Sequence, residues 1–146
     1  MGTWDSHISS KVKPQIFADT SAFLALINEA DEFHRRAAEF ILTHPILVTS
    51  GWVIEETLAH LHSRYGLKLT KKGIEFFRNL PELKIDSISQ PRLEKIFSLF
   101  LKKGSARISI VDISNIVTMQ ELGLNTIFGF DNQFFTVFKL NVTPSV

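Results

Sequence analysis

An α/β fold, a three-layer α/β/α sandwich around a central, mostly parallel sheet, is what this sequence predicts, and three observations lead there. Short apolar runs rich in β-branched residues recur along the chain. Most are followed by a longer segment whose apolar residues fall at helical spacing. Several junctions between them carry Asp, Ser or Thr, which cap helix N-termini. Such alternation argues for parallel strands joined by helices that wrap the sheet.

Gln15 to Ala18 is the first apolar run. It ends in Asp19-Thr20-Ser21 and leads into a helical stretch from Ala22 to Ile27, which puts Asp19 at the carboxyl end of a buried strand. A second helix is expected from Asp31 to Leu42, with Phe33, Ala37, Phe40 and Ile41 on one stripe, and His44-Pro45 ends it. Ile46 to Val48 is a second strand, after which Thr49-Ser50 caps a helix that carries Ile54, Leu58, Leu61 and Tyr65. Helical segments over Thr70 to Leu80 and Pro91 to Lys102 flank Leu83 to Ile88, a third strand. Ser109 opens a helix that runs to Leu122 and stops at Gly123; Thr126 to Phe128 then reads as a fourth strand and Val137 to Val142 as a fifth.

Length and composition bound the function. One domain spanning residues 1–146 is the default for 146 residues, with a loosely ordered start over residues 1–13. Hydrophobic residues at 45% and charged residues at 21% fit a soluble folded protein. With no cysteine in the chain, disulfides, thiolate zinc sites and cysteine nucleophiles are excluded, and a reducing cytoplasm is the expected location. The polar start lacks the run of roughly 7 to 15 apolar residues that a signal sequence needs. No segment approaches the roughly 18 needed to span a bilayer. Sixteen basic against fifteen acidic side chains give +1, which neither requires nor forbids a nucleic-acid partner.

Acidic residues then fall where an open parallel sheet binds its ligands, at the carboxyl ends of strands. Asp19 follows the first strand, Glu55 and Glu56 lie in the helix after the second, Asp112 opens a helix, and Asp131 follows the fourth strand. If such carboxylates converge, each pair at about 4 Å repels by roughly 4 kcal/mol at an effective dielectric of 20, so a cation is required. Oxygen ligands without cysteine or suitably spaced histidine favour Mg²⁺ or Mn²⁺ over zinc. Helix geometry leaves Glu55 and Glu56 open: one lies about 100° from the Ile54 stripe and the other nearly opposite it.

Four segments in order resemble the PIN-domain family, in particular its VapC-like toxins: Ile16 to Phe23 with Asp31 to Ala38, Val48 to Leu58, Ser109 to Asp112 with Met119 and Glu121 to Gly123, and Phe130 to Phe134. The resemblance spans nearly the whole chain. It implies a PIN-like sandwich and an acidic quartet at Asp19, Glu56, Asp112 and Asp131, with Ser21 as a supporting hydroxyl. Glu56 rather than Glu55 is selected because Thr57 follows it, matching the family pattern of Glu before a small or hydroxyl residue. One departure is Gly129, which stands where the family usually has Thr or Ser before the last Asp. The implied activity is metal-dependent hydrolysis of RNA phosphodiester bonds, leaving a 5′-phosphate, with Mg²⁺ or Mn²⁺ in one or two copies. Asp19 and Asp112 would be the closest ligands, and Glu56 and Asp131 would position the metal's waters. A protein antitoxin and a homodimer are implied as partners beside the RNA substrate.

Structural readings compete at each position. Asp19 can cap the first helix, Asp112 can close a capping box with Ser109, Asp131 with Asn132 can be turn chemistry, and paired glutamates commonly face solvent. His60 and His62, two apart on a helix, do not face one another and are expected at the surface. The phenylalanines bunched at Phe128, Phe130, Phe134, Phe135 and Phe138 are expected to be core, or to line a dimer or antitoxin groove. Lys68, Lys71, Lys72, Lys102, Lys103 and Arg107 are candidates for phosphate contacts or a solvated face. A receiver or aspartyl-phosphate hydrolase would need an early acidic doublet or D-x-D, which Asp19-Thr20-Ser21 does not provide. Nucleotide binding would need a glycine-rich phosphate loop, and none of the seven glycines forms one. A catalytically silent PIN fold acting as a scaffold or RNA-binding module is the remaining alternative.

Overall fold

The computed structural model describes residues 13–145, so the expectation of a loose start lies, for residues 1–12, outside the described residues. In chain order the elements are β1 (Gln15–Ala18), α1 (Thr20–Ile27), α2 (His34–Ile41), β2 (Ile46–Ser50), α3 (Gly51–Tyr65), α4 (Leu67–Asn79), β3 (Lys84–Asp86), α5 (Gln90–Lys103), α6 (Ile110–Leu122), β4 (Thr126–Phe128), α7 (Gln133–Thr136) and β5 (Asn141–Thr143). The five strands form one sheet in the order β3-β2-β1-β4-β5, and every pairing is parallel.

The strand order sets the architecture. The chain steps from β1 outward to β3, then returns past β1 to place β4 and β5 on the other side. Because parallel crossovers are right-handed, α1 to α4 cover one face and α5 and α6 the other. The neighbours of each helix agree: α1 rests on α2, α3 and α4, while α5 lies along α6. The topological switch therefore falls between β1 and β4, whose carboxyl ends lie side by side. There the amide of Asp19 continues the ladder by donating to Phe128 O at 3.0 Å.

Burial explains the central strands. Phe17 and Ala18 are fully buried, as are Ile127 and Phe128 opposite them, which is the pattern of strands covered on both faces. The main core joins these residues to Phe23, Ile27, Val53, Leu61 and Phe134, and the ring of Phe23 meets Phe77 edge-on at 4.9 Å. A second cluster of Ile96, Ile108, Ile113 and Val117 fastens α5 to α6. The edge strands are only three residues long, which limits their capacity to pair with other chains.

Several boundaries differ from the sequence-based expectation, each for a local reason. α1 begins at Thr20 because Asp19 itself is the cap. α2 begins at His34, since the Asp31 carboxylate accepts from Phe33 N at 2.8 Å and folds residues 31–33 into a turn first. α4 begins at Leu67, directly after Gly66 ends α3. The last strand is Asn141–Thr143, because the turn that closes α7, in which Val137 N and Phe138 N both donate to Gln133 O, takes the start of the run from Val137. Beyond the edge strand β3, Arg92 is nearly buried; it pairs with Asp86, bonds Ser87 O at 3.0 Å and Glu121 at 2.9 Å, and Lys95 adds a second bond to Glu121 at 3.0 Å. Breaking such a satisfied ion cluster from one side leaves a shielded charge without its partner.

Candidate active site

Asp19 sits at the carboxyl end of β1 and is 3% exposed. Its backbone is extended, and one carboxylate oxygen, Oδ2, accepts from Ser21 N at 3.4 Å and Ser21 Oγ at 3.0 Å. The other, Oδ1, accepts from Asn115 Nδ2 at 3.0 Å, which brings the middle of α6 against the end of β1. Burial above all, and then the charge of Asp112, push the Asp19 carboxyl up to about 7 against the lowering effect of the Ser21 hydrogen bonds.

Asp112 lies in the first turn of α6 and is 9% exposed. It closes a capping box, its amide donating to Ser109 Oγ at 3.1 Å while its Oδ2 accepts from Ser109 N at 2.9 Å. The same Oδ2 accepts from Gln133 Nε2 at 2.6 Å. Glu56, half-buried on α3, accepts from Thr20 Oγ1 at 2.6 Å through Oε1. Its carboxyl is raised chiefly by burial and further by Asp112, while Thr20 and the positive field of His60 lower it. Asp131 stands at the exposed rim after β4; crowding by the surrounding protein and the charge of Asp112 raise it, and the Gln133 amide opposes them.

Asp112 is thus the common neighbour whose charge reaches Asp19, Glu56 and Asp131. Glu55 is not held in this way. It is exposed and lines a shallow cavity of about 250 Å³ with Trp52, Glu56, Ala59 and Val111. Among the described residues no Lys or Arg forms an ion pair with any of the quartet; the five ion pairs all lie elsewhere. Nor do three carboxylates or imidazoles there close to the distances of a formed metal site. The donor set nonetheless fits a hard divalent cation: four carboxylates share one field, their hydrogen-bond partners are neutral, and the most buried of them is displaced far from its ordinary value of 3.8.

Capping and site geometry coincide here. Asp19 does cap α1 and Asp112 does close a capping box, so the structural readings of both residues hold, and the two carboxylates still lie close enough for the charge of Asp112 to act on Asp19. Ser21 does more than support Asp19, since its Oγ also accepts from Phe130 N at 2.9 Å and so ties α1 to the segment after β4. Gly129 explains why. A Cβ at that position would lie 3.0 Å from Ser21 Oγ and 3.4 Å from Asp19 Oδ2, so the Ser21 hydroxyl occupies space that a side chain at 129 would need.

Asn115, Thr20 and Gln133 were not among the residues singled out from the sequence. Asn115 is fully buried and follows Asp112 by about one helical turn in an otherwise mostly apolar run, which is the signal that could have found it. Its Oδ1 has no hydrogen-bond partner. Gln133 follows Asp131 by two residues, and only the turn into α7 directs it back to Asp112. Of the other candidates, His60 and His62 are exposed, Phe128 and Phe134 are fully buried, and Phe130 stacks on Phe33 at 4.6 Å beneath the guanidinium of Arg36. Lys72 pairs with Glu29 at the surface.

Comparison with known proteins follows the same lines. The sequence matches the PIN domain profile over residues 16–139. Among solved structures, the chain resembles Mycobacterium tuberculosis VapC20, described as a Sarcin-Ricin loop cleaving toxin, with a TM-score of 0.75 and 24% identity over 84% of this chain and 94% of that one. It also resembles a chain of a toxin–antitoxin complex from Klebsiella pneumoniae, with a TM-score of 0.65 and 18% identity over 89% and 98%. A third likeness is to VapBC2 from Rickettsia felis bound to a DNA fragment from its promoter, with a TM-score of 0.62 and 14% identity over 88% and 97%. No curated protein matches the sequence.

Proposed function

The chain belongs to the PIN domain family, and from that premise we propose that it is a divalent-metal-dependent endoribonuclease acting as the toxin of a toxin–antitoxin pair. The observation that carries the reading is the carboxylate quartet around Asp112, gathered at the switch point between β1 and β4 with only neutral hydrogen-bond partners. The VapC20 toxin and the toxin–antitoxin complexes among its structural relatives support the biological role.

Asp19 and Asp112 would hold the cation most directly, with Glu56 and Asp131 flanking it. Bound there, Mg²⁺ or Mn²⁺ supplies positive charge against the phosphate and acidifies a water. The chain's own residues set up the rest. Asn115 and Ser21 each hold one oxygen of Asp19, and Gln133 and Ser109 orient Asp112. Glu56, its carboxyl raised and its orientation set by Thr20, is suited to take a proton from the attacking water. Hydrolysis forms a bond between water oxygen and phosphorus and breaks the bond from phosphorus to O3′, leaving a 5′-phosphate and a 3′-hydroxyl.

The same reading includes one domain, a homodimer, a protein antitoxin and action in the cytoplasm; among the described residues no helix is long and apolar enough to cross a membrane. A catalytically silent PIN scaffold is the second reading, favoured by Gly129. The Ser21 hydroxyl bonded to Asp19 in the adjoining space weighs against it. Incubating the purified, antitoxin-free protein with a mixed RNA pool and Mn²⁺ separates them: metal-dependent cleavage supports the nuclease, and metal binding without cleavage supports the scaffold.

A further inference from the structure

Beside the acidic cluster opens a cavity of about 580 Å³ whose wall includes Ser105, Arg107, Asp131, Asn132, Gln133 and Thr136. Two of these belong to the site already described: Asp131 is one of the quartet, and the Gln133 amide holds Asp112. The cavity and the candidate active site therefore share a wall. Its size lies within the range of small-molecule sites and gives room for one nucleotide.

Arg107 brings the positive charge. The segment that carries it is fixed although it is neither helix nor strand. Ser105 and Ile108 exchange backbone hydrogen bonds at 3.1 and 3.2 Å, Ser105 Oγ accepts from Arg107 N at 3.2 Å, and Ile108 is anchored in the second core cluster. The guanidinium itself is exposed and forms no ion pair among the described residues. Arg35, Arg36 and Arg92, in contrast, are engaged by Glu39, by the Pro144 and Ser145 carbonyls, and by Asp86 with Glu121. Lys102, although close in sequence to Arg107, lines a separate groove between α5 and α6.

We propose that this cavity receives the nucleotide adjoining the cleaved bond, with its phosphodiester anion on Arg107 and its ribose or base edge against Asn132 and Thr136. The inference rests on the ribonuclease reading. An RNA strand whose scissile phosphate lies at the quartet approaches a strongly acidic surface, and an unpaired guanidinium on the shared wall offsets that repulsion one nucleotide away. Neutral amides and a hydroxyl beside the arginine suit a ribose or base edge; a partner protein's acidic segment would find Asp131 on the same wall.

The test measures binding of a fluorescein-labelled, random-sequence single-stranded RNA pool by anisotropy. It uses the full chain carrying Asp112→Asn, with Mn²⁺ present, across a salt series. Adding Arg107→Ala should weaken binding roughly tenfold at low salt. It should also lower the slope of log affinity against log salt by about 0.7, the share of one phosphate contact on a single strand. Arg107→Lys, which keeps the charge, should restore most of both, and Lys102→Ala should change neither. Affinity and slope unchanged in Arg107→Ala would overturn the subsite while leaving the nuclease reading standing. So would equal losses in Arg107→Ala and Lys102→Ala, which would point to diffuse charge. Failure to bind RNA both of the Asp112→Asn protein and of the native chain with Ca²⁺ in place of Mn²⁺ would overturn both.

Discussion

Replacing Asp19 with Asn should make the metal-free protein more stable at neutral pH than the native chain, and the advantage should vanish in acid. In the folded chain the Asp19 carboxyl is raised from 3.8 to about 7, by burial first and by Asp112 second. The unfolded chain gives up this proton near 3.8, whereas the folded chain retains it up to about 7. The group's stabilising contribution is therefore complete below 3.8 and is lost as pH rises through 7. At 1.36 kcal/mol per pH unit the loss amounts to roughly 4 kcal/mol. For a chain of this length that is on the order of 10 °C in melting temperature. Asn is itself a favoured cap, so α1 keeps its N-terminus, and its amide can still meet Ser21 and Asn115. Thermal and denaturant unfolding of both proteins in EDTA, from about pH 4 to about pH 8, gives the difference at position 19, since the remaining groups titrate in both. Added Mg²⁺ should recover the stability of the native protein at neutral pH and leave Asp19→Asn unmoved. Parallel stability curves for the two proteins across this range would refute the reasoning.

Further outcomes follow from the site. Glu56→Gln should lower the rate of RNA cleavage by roughly 100-fold or more, the scale of lost general-base assistance. Glu55→Gln should leave the rate within about twofold in the same cleavage assay, Glu55 being exposed and outside the cluster. Asn115→Leu removes the bond to Asp19 Oδ1 and should weaken Mn²⁺ binding, followed by calorimetry or electron paramagnetic resonance, by about tenfold, as loss of a supporting hydrogen bond to a ligand does. Undiminished metal affinity would show that Asn115 only packs. Gly129→Thr should destabilise the chain by roughly 1 to 3 kcal/mol through crowding of Ser21 and Asp19. Combining it with Ser21→Ala should cost less than the two single changes added together, as read from denaturant midpoints, because the second change frees the space the first one fills.

The sheet and most helices were legible in the sequence because their signals are local. Phe17 and Ala18 in a short apolar run, Ser50 before α3 and Gly123 in the left-handed conformation after α6 each mark an element without help from distant contacts. Asp19 and Asp131 could be placed on the same edge of the sheet because the carboxyl ends of parallel strands lie along one edge. Other features depend on tertiary contacts. Which of Glu55 and Glu56 meets Thr20 depends on how α3 rotates against α1, and the recruitment of Gln133 depends on the short turn into α7. Asn115 reads as one polar residue in a buried helix until α6 is laid against β1. Gly129 read from sequence as a missing hydroxyl, whereas in the fold it is the space that Ser21 uses.

The most direct test of the ribonuclease account is RNA cleavage by the native chain with Mg²⁺ or Mn²⁺, with EDTA, and with Asp19→Asn and Asp112→Asn in parallel. Cleavage that requires the metal and is lost in both variants is the predicted result. Cleavage that survives EDTA or either substitution would contradict the proposed site, and a well-folded, metal-loaded native protein that leaves the pool intact would contradict the proposed activity.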